Sequence, residues 1–219
     1  MTLAIDIISD VVCPWCYIGK RRLESALALY RERQPGAPEP TITWHPFELN
    51  PDMPDEGIAR EDYVARKFGA RGKDVYKRVA SVGEQVGIPF AFDKVGRQPN
   101  TRRVHALIAA ARDSGRQGAV KEGFLRAYFL EGTDLTRREN LEAVALAAGL
   151  DRETVRATLD SDEVLGQVAA EEEHARDLGV EGVPFFIFNQ KVAVSGAQEP
   201  EALLGAMLEA EKVTEAEAD

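Results

Sequence analysis

The chain has 219 residues, 44% hydrophobic and 29% charged, and its 37 acidic against 27 basic side chains give a formal net charge of -10. That length buries a substantial core, while the excess of acid argues against nucleic acid or an anionic membrane surface as a partner, since both need a basic face. No apolar run approaches the roughly 20 residues that span a bilayer, and the first residues lack the basic, apolar and small-residue regions of a secretory signal, so a cytoplasmic protein is expected.

Residues 3–9 alternate, with Leu3, Ile5 and Ile7 against Ala4, Asp6 and Ile8, and read as a first strand. Asp6 is a candidate acceptor for a thiol proton, although an acid at a strand edge facing water is the simpler reading. Cys13-Pro14-Trp15-Cys16 follows, holding both cysteines of the chain, and opens a segment in which Ile18, Leu23, Leu27 and Tyr30 recur at helical spacing to about Arg33. A CxxC at the start of a helix within a βαβ pattern is a redox signature. The unpaired N–H groups and macrodipole of a helix N-terminus favour an anion, so the first sulfur can ionise below the ordinary thiol value of about 8.5. Cys13 is therefore expected to be the exposed nucleophile and Cys16, one turn in, the more shielded resolving thiol; Pro14 suits a first helical position. A zinc site is the rival reading of CxxC, but His45, His105 and His174 are scattered with no second ligand pair, so no metal is expected. In a cytoplasm the pair would rest reduced and close transiently.

Pro35-Gly36, Pro38 and Pro40 end the helix, and Thr41–His45 alternates as a second strand, parallel to the first after a right-handed crossover. Phe47–Pro54 reads as a loop carrying Glu48, a second candidate relay acid and more simply a surface carboxylate. Residues 58–178 read almost wholly as helix, with segments near 60–69, 73–86, 100–113, 117–131, 138–148, 152–159 and 161–178. Gly69, Gly87 and Gly149 stand where a helix-ending glycine would, Thr136 with Glu139 resembles a capping box, and Phe124, Tyr128 and Phe129 are expected in the core of this block. Lys20-Arg21-Arg22, Arg102 and Arg103 read as solvated faces. Strand character returns after 179: Phe185–Phe188 suits a buried strand, Asn189-Gln190 a two-residue turn, and residues 191–195 its antiparallel partner, although Gln190 is a weaker choice than glycine there. Glu199 to Glu217 is expected to close the chain as an amphipathic helix with Leu203, Leu204, Met207 and Leu208 inward, fraying into an acidic tail. The chain thus divides into an α/β part, residues 1–57 and 179–219, and a helical subdomain, 58–178, inserted into it.

Five segments, in order from end to end, carry a family resemblance: Asp10-Val11-Val12-Cys13-Pro14-Trp15-Cys16-Tyr17-Ile18-Gly19, Pro46-Phe47-Glu48-Leu49-Asn50-Pro51, Asn100-Thr101 with His105, Gly182-Val183-Pro184-Phe185-Phe186, and Ser195-Gly196-Ala197-Gln198. The chain resembles the DsbA-like branch of the thioredoxin superfamily, and within it the FrnE-like dithiol-disulfide oxidoreductases, neighbours of the 2-hydroxychromene-2-carboxylate isomerases and kappa-class glutathione transferases. The resemblance implies an α/β thioredoxin-like fold with a large all-helical insertion, and thiol–disulfide exchange of reductase or isomerase type. It implies that Pro184 is a cis-proline facing the cysteines, and that the Val183 backbone pairs with an extended peptide or with glutathione, beside Pro14 and Trp15. No bound cofactor is expected. Glutathione or a thioredoxin-type reductant would serve as co-substrate, and the partner would be a disulfide-containing protein or a low-molecular-weight disulfide.

Pro-Trp stands between the cysteines where the strongly oxidising periplasmic enzymes carry Pro-His; tryptophan cannot hold a thiolate by charge, so their potential of about -120 mV is not implied. One rival function is a glutathione-dependent isomerase or transferase in which Cys13 holds the glutathione sulfur and Asn50 and His105 are cleft polar groups. Against it, those relatives carry serine at the position of Cys13. The other rival is a non-catalytic redox-sensing module toggled by the cysteine pair.

Overall fold

A computed structural model describes residues 2–218, except for the side chains of Glu215, Glu217 and Ala218, so the acidic tail falls largely outside the description. Ala4–Ser9 forms β1, Pro14–Arg33 α1 and Thr41–Pro46 β2. The middle of the chain runs as β3 (Ile58–Ala59), α2 (Arg60–Phe68), α3 (Gly72–Gln85), β4 (Arg97–Gln98), α4 (Arg102–Ala110), α5 (Gln117–Arg126), α6 (Arg138–Ala147), α7 (Arg152–Leu159) and α8 (Asp162–Asp177). Phe185–Phe188 is β5, Val192–Ser195 β6 and Pro200–Ala218 α9.

The main sheet has the order β2-β1-β5-β6. β2 runs parallel to β1, with Ile7 opposite Trp44, and β5 antiparallel to it, with Ile7 opposite Phe186. The β5–β6 turn forms as the composition suggests: Asn189 and Gln190 both have positive φ, 49° and 57°. Asn189 is the better suited, because its amide also ties the turn to β1, accepting the Ala4 N–H at 2.8 Å.

One face of the sheet, with Leu3, Ile5, Ile7, Phe186 and Phe188, joins Leu23, Ala26 and Tyr30 of α1 and Leu203 and Met207 of α9 in a single buried cluster. A smaller cluster, Ile8, Phe47, Ala175 and Val180, covers the other face. The large cluster continues without a break into the inserted helices. Tyr17, next to Cys16, stacks on Phe129 at 6.3 Å between ring centroids and meets Phe90 edge-on at 6.0 Å; Phe129 in turn touches Phe90, Phe92 and Tyr128.

Several expectations are corrected. The middle block is not all helix: Ile58 pairs with Gln98 and Ala59 with Arg97 in a two-stranded ribbon too short to show a period of two. The helix read over 117–131 ends at Arg126 and closes in a π turn, 127–131, before Gly132 at φ 72°. A Cβ on Gly132 would lie 2.3 Å from the Lys94 carbonyl, so both its conformation and its space exclude other residues. Thr136 caps nothing: its N–H and hydroxyl both bond Asp134 Oδ1, and α6 starts after Arg137 with no side-chain cap. The side-chain caps lie instead at Asp151 and Ser161, which accept from Thr154 and Val164 N–H.

Lys20 is buried rather than solvated, 8% exposed, because Glu24 and Glu122 meet its Nζ at 2.5 and 2.8 Å. Arg21 also bonds Glu122, and Arg22 bonds Glu199 at 2.5 Å. On the outer edge of β2, Gln117 behaves like one residue of a missing strand: Oε1 accepts the Trp44 N–H at 3.1 Å and Nε2 donates to the Trp44 carbonyl at 3.2 Å. Among the described residues no helix is long and apolar enough to cross a membrane.

Candidate active site

The sheet delivers the cysteines to the start of α1. β1 ends at Ser9, a tight turn follows, and Cys13 takes the extended N-cap conformation, φ -93° and ψ 111°, with Pro14 as the first helical residue. No side chain caps this end, so its N–H groups are left to the sulfur. Both thiols are free. Cys16 is 1% exposed and Cys13 only 5%, so Cys13 is less open than expected; Trp15 between them is 37% exposed. What covers Cys13 is the segment before β5: the Cys13 thiol donates to the Val183 carbonyl at 3.5 Å, and the Val183–Pro184 bond is cis. Gly19 permits the close packing, since a Cβ there would lie 2.8 Å from Pro184 Cγ.

The two thiols are displaced in opposite directions. The hydrogen bond from the Cys16 thiol draws Cys13 below the usual thiol value, aided by the Cys16 and Trp15 N–H groups and opposed by burial and by Asp10. Burial pushes Cys16 well above that value, and the neighbouring Cys13 sulfur adds to it.

Asp10 is wholly buried behind the pair. Its Oδ2 accepts the Leu49 N–H at 2.9 Å, and Oδ1 stands 3.3 Å from His105 Nε2. Burial pulls Asp10 upward most strongly, but His105, the Leu49 N–H and Lys121 together carry it below the usual carboxylate range. His105, itself 3% exposed, thus lies under the site as a partner of Asp10 and not on an open cleft wall. Asn50 is half-buried and its carbonyl accepts the Met53 N–H at 3.0 Å.

Glu48 is no surface carboxylate. It is 1% exposed, held by Arg102 Nη2 at 2.8 Å and Nε at 3.1 Å, while Arg102 itself stays partly open to solvent. Glu172 lies beside Glu48 and is raised to about 8, by burial first and then by the Glu48 charge. Asp6 is committed to His45, whose Nε2 is 2.9 Å away, while His45 Nδ1 is 3.6 Å from Glu171.

Glu171 and Asp6 raise the His45 pKa above its ordinary value. A raised folded-state pKa stabilises the fold fully below the unfolded value of about 6.5, and this is lost as pH rises through the higher folded value. His45→Gln should therefore cost most at mildly acidic pH, about 0.5 kcal/mol after solvent screening, and progressively less as pH rises through the raised folded value, as read by urea unfolding across a pH series.

Two buried cations near the site escaped the sequence reading. Arg60, 8% exposed, lies over the rings of Tyr63 and Tyr76 and bonds Gln98 Oε1 at 2.5 Å. Lys121 on α5 is 1% exposed. The available signal for it was a charge on the helical face of Phe124 and Leu125, three and four residues on.

Residues 4–208 match the family described as the DSBA-like thioredoxin domain. Among solved structures, a probable DsbA oxidoreductase from Streptomyces coelicolor is 30% identical, with a TM-score of 0.85 over 96% of this chain and 90% of that one. A 2-hydroxychromene-2-carboxylate isomerase is 20% identical with a TM-score of 0.68 over 99% of this chain and 98% of that one. The cytosolic disulfide reductase DsbM of Pseudomonas aeruginosa, solved with glutathione, is 18% identical with a TM-score of 0.60 over 98% of each chain.

Proposed function

From the premise that this chain belongs to the DSBA-like thioredoxin domain family, we propose that it is a thiol–disulfide oxidoreductase of reductase or isomerase type, with Cys13 as nucleophile and Cys16 as resolving thiol. The observation that carries this reading is the placement of two free thiols at the uncapped N-terminus of α1, with Cys13 against the Val183 carbonyl; the displacement of Cys13 toward the thiolate and of Cys16 away from it agrees with that placement. The Cys13 thiolate attacks a substrate disulfide, forms a mixed disulfide and expels one substrate thiolate, which takes a proton from solvent. Cys16 then attacks Cys13, releasing the second substrate thiol and closing the Cys13–Cys16 disulfide. An external thiol, glutathione or a thioredoxin-type reductant, returns the pair to its starting state. The Val183 carbonyl beside Cys13 supports pairing with an extended substrate backbone. Half-open Trp15 offers an apolar contact at the rim. The likeness to a disulfide reductase named as cytosolic supports a cytoplasmic setting.

The same neighbour's glutathione, together with the isomerase likeness, motivates the second reading, glutathione-dependent isomerisation or transfer. Titration of the pair against glutathione buffers, followed by Trp15 fluorescence and thiol mass labelling, separates the two. The expected result is a disulfide with a potential nearer about -270 mV than about -120 mV. A Cys13–glutathione adduct that never closes to a disulfide would hand the site to the second reading. Absence of multiple turnover on insulin would favour a redox-sensing module.

A further inference from the structure

The Ser195-Gly196-Ala197-Gln198 turn at the end of β6 lies one hydrogen bond away from the segment over Cys13. Gly196 takes φ 81°, a conformation open to glycine, and its N–H bonds the Pro184 carbonyl at 2.8 Å. Gln198 folds the turn onto itself: its N–H donates to the Gly196 carbonyl at 2.9 Å and its Nε2 to the Ser195 carbonyl at 2.9 Å. The turn thus holds the residue next to Val183, whose carbonyl accepts the Cys13 thiol.

Arg22 ties this turn to α1. Nη1 donates to the Ala197 carbonyl at 2.5 Å and Nη2 meets Glu199 Oε1 at 2.5 Å. The side chain is only 11% exposed, and Nε is buried without an acceptor, so the two terminal nitrogens carry the contact. A charge-assisted bond from a planar fork fixes direction as well as distance. Beside it, a Cβ on Gly19 would lie 2.8 Å from Pro184 Cγ and 3.5 Å from Ala197 Cβ, so the bare backbone of α1 seats both residues. Helix α1 therefore carries the nucleophile at its N-cap and, roughly 13 Å along its axis, the side chain that locates the opposite wall of the site.

We propose that Arg22 is a positioning residue for polypeptide substrates: through Ala197, Gly196 and Pro184 it sets the Val183 backbone at the distance from Cys13 that a paired substrate strand needs to bring its disulfide onto the sulfur. This rests on the reading that Cys13 and Cys16 exchange disulfides. Arg22 itself touches no reacting atom. A small disulfide needs only the Cys13 sulfur, whereas a polypeptide disulfide is delivered by main-chain pairing at Val183. A main-chain shift of about 1 Å there misaligns the attack. Arg22 is in this way the residue that separates polypeptide disulfides from small ones. Removing its guanidinium bares the Ala197 carbonyl but also relieves the unpaired Nε, so stability changes less than position does.

The test mixes the reduced protein in single turnover with excess insulin or with excess 5,5′-dithiobis(2-nitrobenzoate) and compares the two second-order rate constants. Arg22→Met, which keeps the stem and loses the donors, is expected to react roughly tenfold more slowly with insulin while the small disulfide stays within about twofold of wild type. Arg22→Lys, whose ammonium can still donate to the Ala197 carbonyl, should regain most of the insulin rate. A merely structural role would lower both rates together. An unchanged insulin rate in the Met variant, an equal loss on both disulfides, or no recovery in the Lys variant overturns the proposal. If the Met variant does not fold, Arg22→Gln, whose amide ends short of Ala197, takes its place with the same expectation; failure of both to fold would make Arg22 a stability residue and overturn the proposal too. A wild type that reduces neither disulfide would instead refute the exchange reading itself.

Discussion

Cys16→Ser is expected to leave the protein stalled as a covalent adduct with its substrate, visible as a mass increase on incubation with a disulfide peptide and reversed by dithiothreitol. Cys13→Ser is expected to form no adduct and to lose insulin reduction by about three orders of magnitude or more, as when the nucleophile of a two-step mechanism is removed. The asymmetry follows from position. Both thiols are nearly covered, but Cys13 stands at the N-cap of α1 beside the Val183 carbonyl, whereas Cys16 lies inside the first turn, within reach of a sulfur already bonded to Cys13. The raised pKa of Cys16 adds a second barrier to direct attack. Full activity of Cys13→Ser would show the assignment to be wrong.

Phe129→Ala should be the most damaging substitution outside the cysteines. The ring is fully buried and touches Tyr17, Phe90, Phe92 and Tyr128, aromatic neighbours that cannot all collapse into the space it leaves. The expected cost is about 3 to 5 kcal/mol, measured as a shift of the guanidinium midpoint at unchanged slope. Because the hydrophobic cluster runs from β1 and α1 into the inserted helices, the loss should appear in one cooperative transition. Two separated transitions, only one of them moved by the substitution, would mean that the insertion is stabilised on its own.

Local periodicity explains what was legible beforehand. β1, α1 and β2 are marked by alternation, then helical spacing, then alternation, and the Asn189-Gln190 turn by two residues between apolar runs; each depends on neighbours within a few positions. The misread positions share the opposite property. Glu48 looks like a loop carboxylate until Arg102, 54 residues on, covers it. Lys121 looks like one more helical lysine until Ser9, 112 residues back, is placed beside it. Asp10 could be seen as a charge near Cys13, but its union with His105 and the Leu49 N–H joins three separate segments. Whether a charged side chain is solvated or buried is settled by such distant partners, and no pattern along one stretch records it.

The amide of Gln117 has a bearing on how the molecule behaves in a crowd of its own copies. β2 is the outermost strand on its side of the sheet, and an outer strand with free N–H and C=O groups is a template on which another chain can build. With both backbone groups of Trp44 already satisfied by Gln117, an incoming strand finds no register at the middle of that edge. One side chain, supplied by the inserted helices, thereby guards the α/β sheet against self-association by sheet extension.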